Sequence, residues 1–305
     1  MSRYLLRRLV FALVTLWAVV TVTFSLVRLA PGGPFDGERR LPPAVEANLR
    51  AAYDLDASLP VQYGRYLANL ASGDLGPSFR QKDFSVNELI GMGLPISVGV
   101  GLAALSLALA LGIAGGTFAA LGRDGQRDRL LVLGATLGLA LPPIVVAPVL
   151  VLVFAVSLGW FPAGGYATWK HFVLPAITLA LPYAAAFMRL TRGSVLEVLD
   201  RPHVMTARAK GLGSFRLVTR HVLPSALLPV VSFLGPAAAA LLAGSMVIEE
   251  VFSLPGLGRY FVQGALNRDY TLVTGTVVVY AALVLGFNLL VDLCYARLDP
   301  RIRHA

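Results

Sequence analysis

Six long stretches carry no charged side chain, and they constrain the fold more than any other feature: residues 9–27, 94–121, 130–158, 171–188, 222–248 and 270–291. A helix needs roughly 20 apolar residues to cross hydrocarbon about 30 Å thick, because each residue rises about 1.5 Å. The runs at 9–27 and 171–188 come close to that length, and the other four exceed it. The third uncharged run continues to Trp169, but Gly159, Trp160, Phe161, Pro162, Ala163, Gly164, Gly165 and Tyr166 read as a turn with interfacial aromatics, so the helix is expected to end near Leu158. The fourth carries Pro175 and Pro182, which a membrane helix tolerates where neighbours satisfy the freed carbonyls. Charged residues make up 14% of the chain, against about a quarter in soluble domains. The expected fold class is an all-α membrane protein with six transmembrane helices and an extracytoplasmic segment after the first.

An even number of spans puts both termini on one side. If that side is cytoplasmic, the inner segments hold 16 basic residues and 5 acids, and the outer segments hold 10 basic residues and 11 acids. Short arginine-rich inner loops obey the positive-inside rule, so N- and C-termini are expected in the cytoplasm. The net charge of +9 then reflects topology, and no nucleic acid is implied. Arg3, Arg7 and Arg8 ahead of an apolar run also describe a signal peptide, but no small-x-small cleavage site follows, and an uncleaved anchor is expected. Cys294 stands alone, which excludes an internal disulfide or a cysteine metal cluster. His171, His203, His221 and His304 have no ligand spacing, so no metal site is read.

The domain plan follows from the runs: an anchoring helix at 1–30, an extracytoplasmic segment at 31–93, a five-helix core at 94–293 with an inner loop at 189–221, and a cytoplasmic tail at 294–305. Residues 46–50 resemble a short surface helix. Tyr63, Tyr66, Leu67 and Leu70 at helical spacing predict another, ending at Ala71. A turn is expected at 74–79. Another at 253–258 leads into a short amphipathic helix ending near Asn267. Prolines 142, 143 and 148 read equally as gating kinks or as packing kinks. Glu249 and Glu250, at the outer end of the fifth run, read as contacts for an extracytoplasmic binding protein or as markers of the water boundary.

The most informative segment is the inner loop from Arg201 to Pro224. Pro202 suits a helix start and Gly211 a helix end that turns back. Between them, Val204, Met205, Thr206, Ala207, Arg208, Ala209 and Lys210 form a helix of two or three turns, too short to stand alone. Small and basic residues at such a place fit a lipid surface or a partner protein, beside the plain alternative of a solvated loop.

This segment resembles the pattern E-A-A-x3-G-x9-I-x-L-P found in the membrane subunits of ABC importers. Aligned on Gly211, Met205, Thr206 and Ala207 fall at E-A-A, and His221, Val222, Leu223 and Pro224 fall at I-x-L-P with the spacing kept. Met205, Thr206 and His221 depart from the pattern. The form at 206–212 is similar to that of the oligopeptide and dipeptide permeases. Further fragments in the same order resemble that family: Arg28-Leu29-Ala30-Pro31-Gly32, Gly73-Asp74-Leu75-Gly76-Pro77-Ser78-Phe79, Gly244-Ser245-Met246-Val247-Ile248-Glu249, Leu254-Pro255-Gly256-Leu257-Gly258, Ala265-Leu266-Asn267-Arg268-Asp269-Tyr270 and Asp299-Pro300-Arg301-Ile302-Arg303. The long segment after the first span is similar to that of B-type oligopeptide permease subunits.

The resemblance implies a type I ABC importer permease of a bacterial cytoplasmic (inner) membrane. It implies that residues 204–212 are a coupling helix docked on an ATPase, with His221, Leu223 and Pro224 closing the loop. The implied partners are a second homologous permease subunit, two ATP-binding subunits using ATP and Mg, and an extracytoplasmic peptide-binding protein. This chain is expected to bind no cofactor and to be no enzyme: a phosphate-cradling loop needs glycine before its lysine, and Lys82, Lys170 and Lys210 all lack it. Oligopeptides are the expected cargo, with dipeptides, glutathione or nickel complexes as alternatives. A secondary transporter driven by an ion gradient is the competing class, but it needs ionisable residues deep in the spans. The one such residue read here is Asp292, near an inner end, where an interfacial acid pairing with Arg297 or a partner is the favoured reading. Nothing supports a membrane enzyme or a structural anchor.

Overall fold

The computed structural model describes residues 2–29, 56–81 and 83–298. The expected surface helix at 46–50 and the terminal motif at 299–303 lie outside the described residues, as does the side chain of Asp292. In chain order the helices are α1 (Ser2–Leu29), α2 (Leu59–Ala71), α3 (Val86–Leu121), α4 (Gln126–Ala140), α5 (Pro143–Leu150), α6 (Val173–Leu199), α7 (Pro202–Ala209), α8 (Ser214–Leu217), α9 (Leu223–Ala226), α10 (Leu228–Val251), α11 (Leu257–Leu266) and α12 (Tyr270–Leu298). An isolated antiparallel bridge joins Pro77 to Ser85.

Among the described residues, five helices are long and apolar enough to cross a bilayer: Leu6–Leu29, Val86–Leu121, Trp169–Leu199, Leu228–Val251 and Tyr270–Val291. The sixth crossing exists only if α4 and the helix Pro143–Ser157 form one broken span, because they meet at 104°. This corrects the expected continuous helix over 130–158. Steric clash with a following proline drives a residue out of the α region. Leu141 before Pro142 lies at φ −88°, ψ 116°, and Pro142 before Pro143 at φ −62°, ψ 137°. The prolines therefore make a sharp corner.

Other boundaries move for similar reasons. The fourth expected span, 171–188, runs on to Leu199, since Arg189 and Arg192 end the apolar run without ending the helix. The fifth begins at Leu228 in place of Val222. Pro224 and Pro229 have no N–H to continue the ladder, and the chain before them relaxes into a π-helical turn at Val218–Val222.

The chain folds into two compact units, each assembled from separated stretches. One comprises Met1–Ser2, Val98–Leu254 and Leu283–Ala305; the other comprises Arg3–Ser97 and Pro255–Ala282.

In the first unit, α6 is the hub, with α4, α5 and α10 packed around it. Lipid tails are as apolar as leucine, so helices in a membrane associate through close packing of small residues. α3 meets α6 through Gly112 and Gly116. A Cβ on Gly112 would lie 2.4 Å from the Phe187 Cβ, and one on Gly116 would lie 2.5 Å from the Met188 carbonyl oxygen. α4 approaches α6 in the same way at Gly138, where a Cβ would lie 3.3 Å from the Ala185 Cβ. The end of this contact is pinned by charge: Arg192 Nε donates to Asp128 Oδ1 at 2.6 Å and its Nη2 to Oδ2 at 2.7 Å. Asp128 is buried and also accepts the Asp124 N–H. Leucines and valines along α4 and α5 stay exposed, as a lipid-facing or partner-facing surface requires.

In the second unit, α2 packs on the end of α1. Phe24 is buried against the rings of Tyr63 and Tyr66, at 5.2 and 5.6 Å between centroids, and Thr21 shares a hydrogen bond with the Tyr63 hydroxyl. The loop after α2 turns through Gly73 and Gly76, both at positive φ. Asp269, just ahead of α12, is buried and clamps that loop. It accepts from the Ser78 hydroxyl, the Arg80 N–H, the Thr271 hydroxyl and the Leu272 N–H. α11 is anchored where Leu257 N–H donates to Ser97 Oγ at 2.8 Å.

Candidate functional site

The short helix α7 carries the residues singled out from the sequence. Arg201, extended at φ −77°, ψ 144°, is its N-cap, and Pro202 occupies the first turn, where its missing N–H leaves no gap in the ladder. Thr206 Oγ1 bonds back to the Pro202 carbonyl at 2.9 Å. The helix ends as predicted: Lys210 N–H reaches the Thr206 carbonyl, Gly211 N–H reaches Arg208, and Gly211 sits at φ +80°. That left-handed geometry suits glycine and turns the chain back toward α8.

Eight residues cannot hold a helix alone. Two of them supply the anchor: Val204 and Ala207, three apart on one face, are buried against Val195 and Val198 of α6 and against Leu217, Val222, Ala226 and Ala120. Leu212 and Leu223 pack at the margin of this cluster. The predicted nine-residue segment therefore divides. Val204, Ala207 and Leu212 face inward and attach the helix. Met205, Thr206, Arg208, Ala209, Lys210 and Gly211 face outward. Among the loop-end residues, His221 and Leu223 are half-buried, Pro224 is exposed, and the His203 ring lies 3.4 Å from the His221 carbonyl.

The outward face is cationic. Arg208, Lys210, Arg216 and Arg220 are all exposed, and among the described residues no acid pairs with them. Arg201, just ahead of this helix, is paired with Glu197 at 2.6 Å. Phe215 is 81% exposed beside these charges. Sequence reading passed over it because a lone phenylalanine after Gly213-Ser214 carries no periodic signal. A cationic ledge with an exposed aromatic can grip an acidic, partly apolar surface.

The two acids read at the far end of α10 separate. Glu249 is fully buried and Glu250 is exposed, so only Glu250 presents its carboxylate at the surface in this conformation. Around them the chain is tightly tied: Leu254 N–H donates to the Glu249 carbonyl, and Gly165 N–H donates to the Phe252 carbonyl.

Two family models match the chain. Residues 1–97 match the N-terminal region of binding-protein-dependent transport system membrane components, and residues 112–304 match the binding-protein-dependent transport system inner membrane component. The chain belongs to this family of inner-membrane transport components. It is 47% identical over 306 residues to the oligopeptide transport system permease protein OppB of Haemophilus influenzae, covering all of both chains. It is 41% identical over 303 residues to the dipeptide transport system permease protein DppB of Bacillus subtilis, covering 99% of this chain and 98% of the relative. Among solved structures, an inward-facing MetNI methionine ABC transporter matches with a TM-score of 0.61 at 17% identity. That match covers 69% of this chain and 96% of the other. The fold is thus that of a type I ABC importer permease. In this family member α7 is an anchored ledge at the end of α6, attached through the buried valine and alanine.

Proposed function

We propose that the chain is a membrane-spanning permease subunit of an ATP-driven importer of peptides, oligopeptides foremost. The relatives matched over their full length carry oligopeptides or dipeptides by name, and the chain keeps their whole extent. In this reading both termini are cytoplasmic and the chain performs no chemistry. It pairs with a second homologous permease, receives peptide from an extracytoplasmic binding protein, and is driven by two subunits that hydrolyse ATP with Mg. The exposed face of α7, from Met205 to Gly211 with Phe215 beside it, docks on an ATPase. Glu250 is the exposed acid of its pair and the one a binding protein would touch.

One observation carries the proposal: α7 is fastened through Val204 and Ala207 to the end of α6, the hub of its unit, while its unpaired cations face out. Movement of a docked ATPase is thereby passed to α6 through packed side chains. Nucleotide then biases two arrangements of the spans, as for any two-state element that a ligand binds unequally. The test is co-purification and uptake. The ATPases are expected to co-elute with the unaltered chain and to be lost with Arg208→Glu/Lys210→Glu, together with ATP-dependent uptake of labelled oligopeptide. Uptake that survives ATP depletion and collapses with an uncoupler would refute the reading.

A further inference from the structure

The second unit holds a cleft of about 390 Å³ between the ends of α1 and α2 and the loop after α2, lined among others by Arg28, Arg65, Tyr66, Asn69, Asp74 and Phe79. Its distinguishing group is Arg28, in the last turn of α1. The guanidinium lies over the Phe24 ring at 4.3 Å from its centroid. Nε donates to Gln62 Oε1 at 2.5 Å, and Gln62 is itself buried and held by a 2.8 Å bond from its Nε2 to the Ala57 carbonyl. One face and one edge of the arginine are thus fixed. Its terminal nitrogens have no acceptor among the described residues, and no carboxylate pairs with it there. A half-buried guanidinium with an oriented, unused donor pair is the natural receptor for a planar two-oxygen anion.

We infer that this cleft receives the C-terminal carboxylate of the incoming peptide, with Arg28 as the positioning group and Tyr66 and Phe79 flanking the last side chain. The inference rests on the peptide-import reading and on its topology, which puts the end of α1 at the outer face, where cargo enters. The volume suits the last one or two residues of a peptide and falls at the low end of small-ligand sites. Arg65 adds positive charge to the same cleft, and the exposed Asp74 discourages a ligand of high negative charge.

The test uses the complete transporter with its binding protein in proteoliposomes, comparing one oligopeptide with its C-terminally amidated form. Arg28→Gln is expected to reduce the ratio of kcat/KM for the acid over that for the amide by about tenfold, and Arg28→Lys by less, because only the charge is kept. An unchanged ratio in Arg28→Gln would overturn the inference. So would an equal loss for acid and amide, which would mean that Arg28 serves folding or meets an acidic side chain of the binding protein. Failure of the unaltered complex to take up either peptide with ATP would instead strike the import reading itself.

Discussion

Replacing Gly116 by alanine places a methyl group 2.5 Å from the Met188 carbonyl oxygen, 2.6 Å from the Thr191 Cβ and 2.9 Å from the Arg192 amide nitrogen. Two of these three atoms belong to the backbone of α6, so no rotamer change relieves them. Ordinary contact requires α3 and α6 to separate by roughly 1 Å, and a gap of that size forfeits a quarter to a half of each atom pair's attraction. Overpacking of this kind costs about 1–3 kcal/mol. Against it, alanine favours a helix over glycine by about 1 kcal/mol. The net expectation is a loss of up to about 2 kcal/mol for Gly116→Ala. Gly112→Ala, with its Cβ 2.4 Å from that of Phe187, should lose a similar amount. One separation relieves both clashes, so the double variant should lose less than the sum. At Gly99 and Gly134 an added methyl group would meet nothing within 4 Å, so the same change should hold or raise stability there, which makes these two positions the controls. The assay is the melting midpoint of the purified transporter in one detergent. If Gly116→Ala melts with or above Gly134→Ala, close approach of these helices is not what holds the unit together.

Three further outcomes are expected. Val204→Ala removes two carbons from a fully buried site, about 2 kcal/mol of local anchoring, and should reduce ATP-driven uptake more than ATPase binding, read by transport against co-elution. Asp128→Asn and Arg192→Gln should each lower the melting midpoint, and the double variant should be no less stable than the worse single one, because both remove the same pair. Asp269→Ala strips four donors of their shared acceptor. It should destabilise the second unit by about 2–4 kcal/mol, seen as faster proteolysis between residues 72 and 85.

Much of the fold was legible because lipid imposes a simple code: uncharged runs of sufficient length mark the spans, and Pro202 and Gly211 mark the limits of α7. The corner at 141–142 was written in the sequence as consecutive prolines, yet they read there as kinks in one continuous helix, and only the structure shows a break. The extension of α6 to Leu199 was hidden, because hydropathy reports where the bilayer ends and is blind to where helical hydrogen bonding ends. The spacing of Gly112 and Gly116 was present in the second run, but without a partner helix it named no contact.

The candidate site divides along the same line. Residue types and spacing identified the segment at 204–212 and its likeness to a coupling helix. They could not tell Val204 and Ala207, which hold the helix, from Arg208 and Lys210, which face outward, nor distinguish buried Glu249 from exposed Glu250. For α7 the flanking elements α6, α8 and α9, with Ala120 of α3, decide the assignment by where they pack, and the Arg28 cleft likewise arises only when α2 folds back on α1. Sequence by itself determined that the chain lives in a membrane and where its apolar runs lie. The tertiary structure decided which side chains are spent on holding it together, because burial is a property of neighbours brought from elsewhere in the chain.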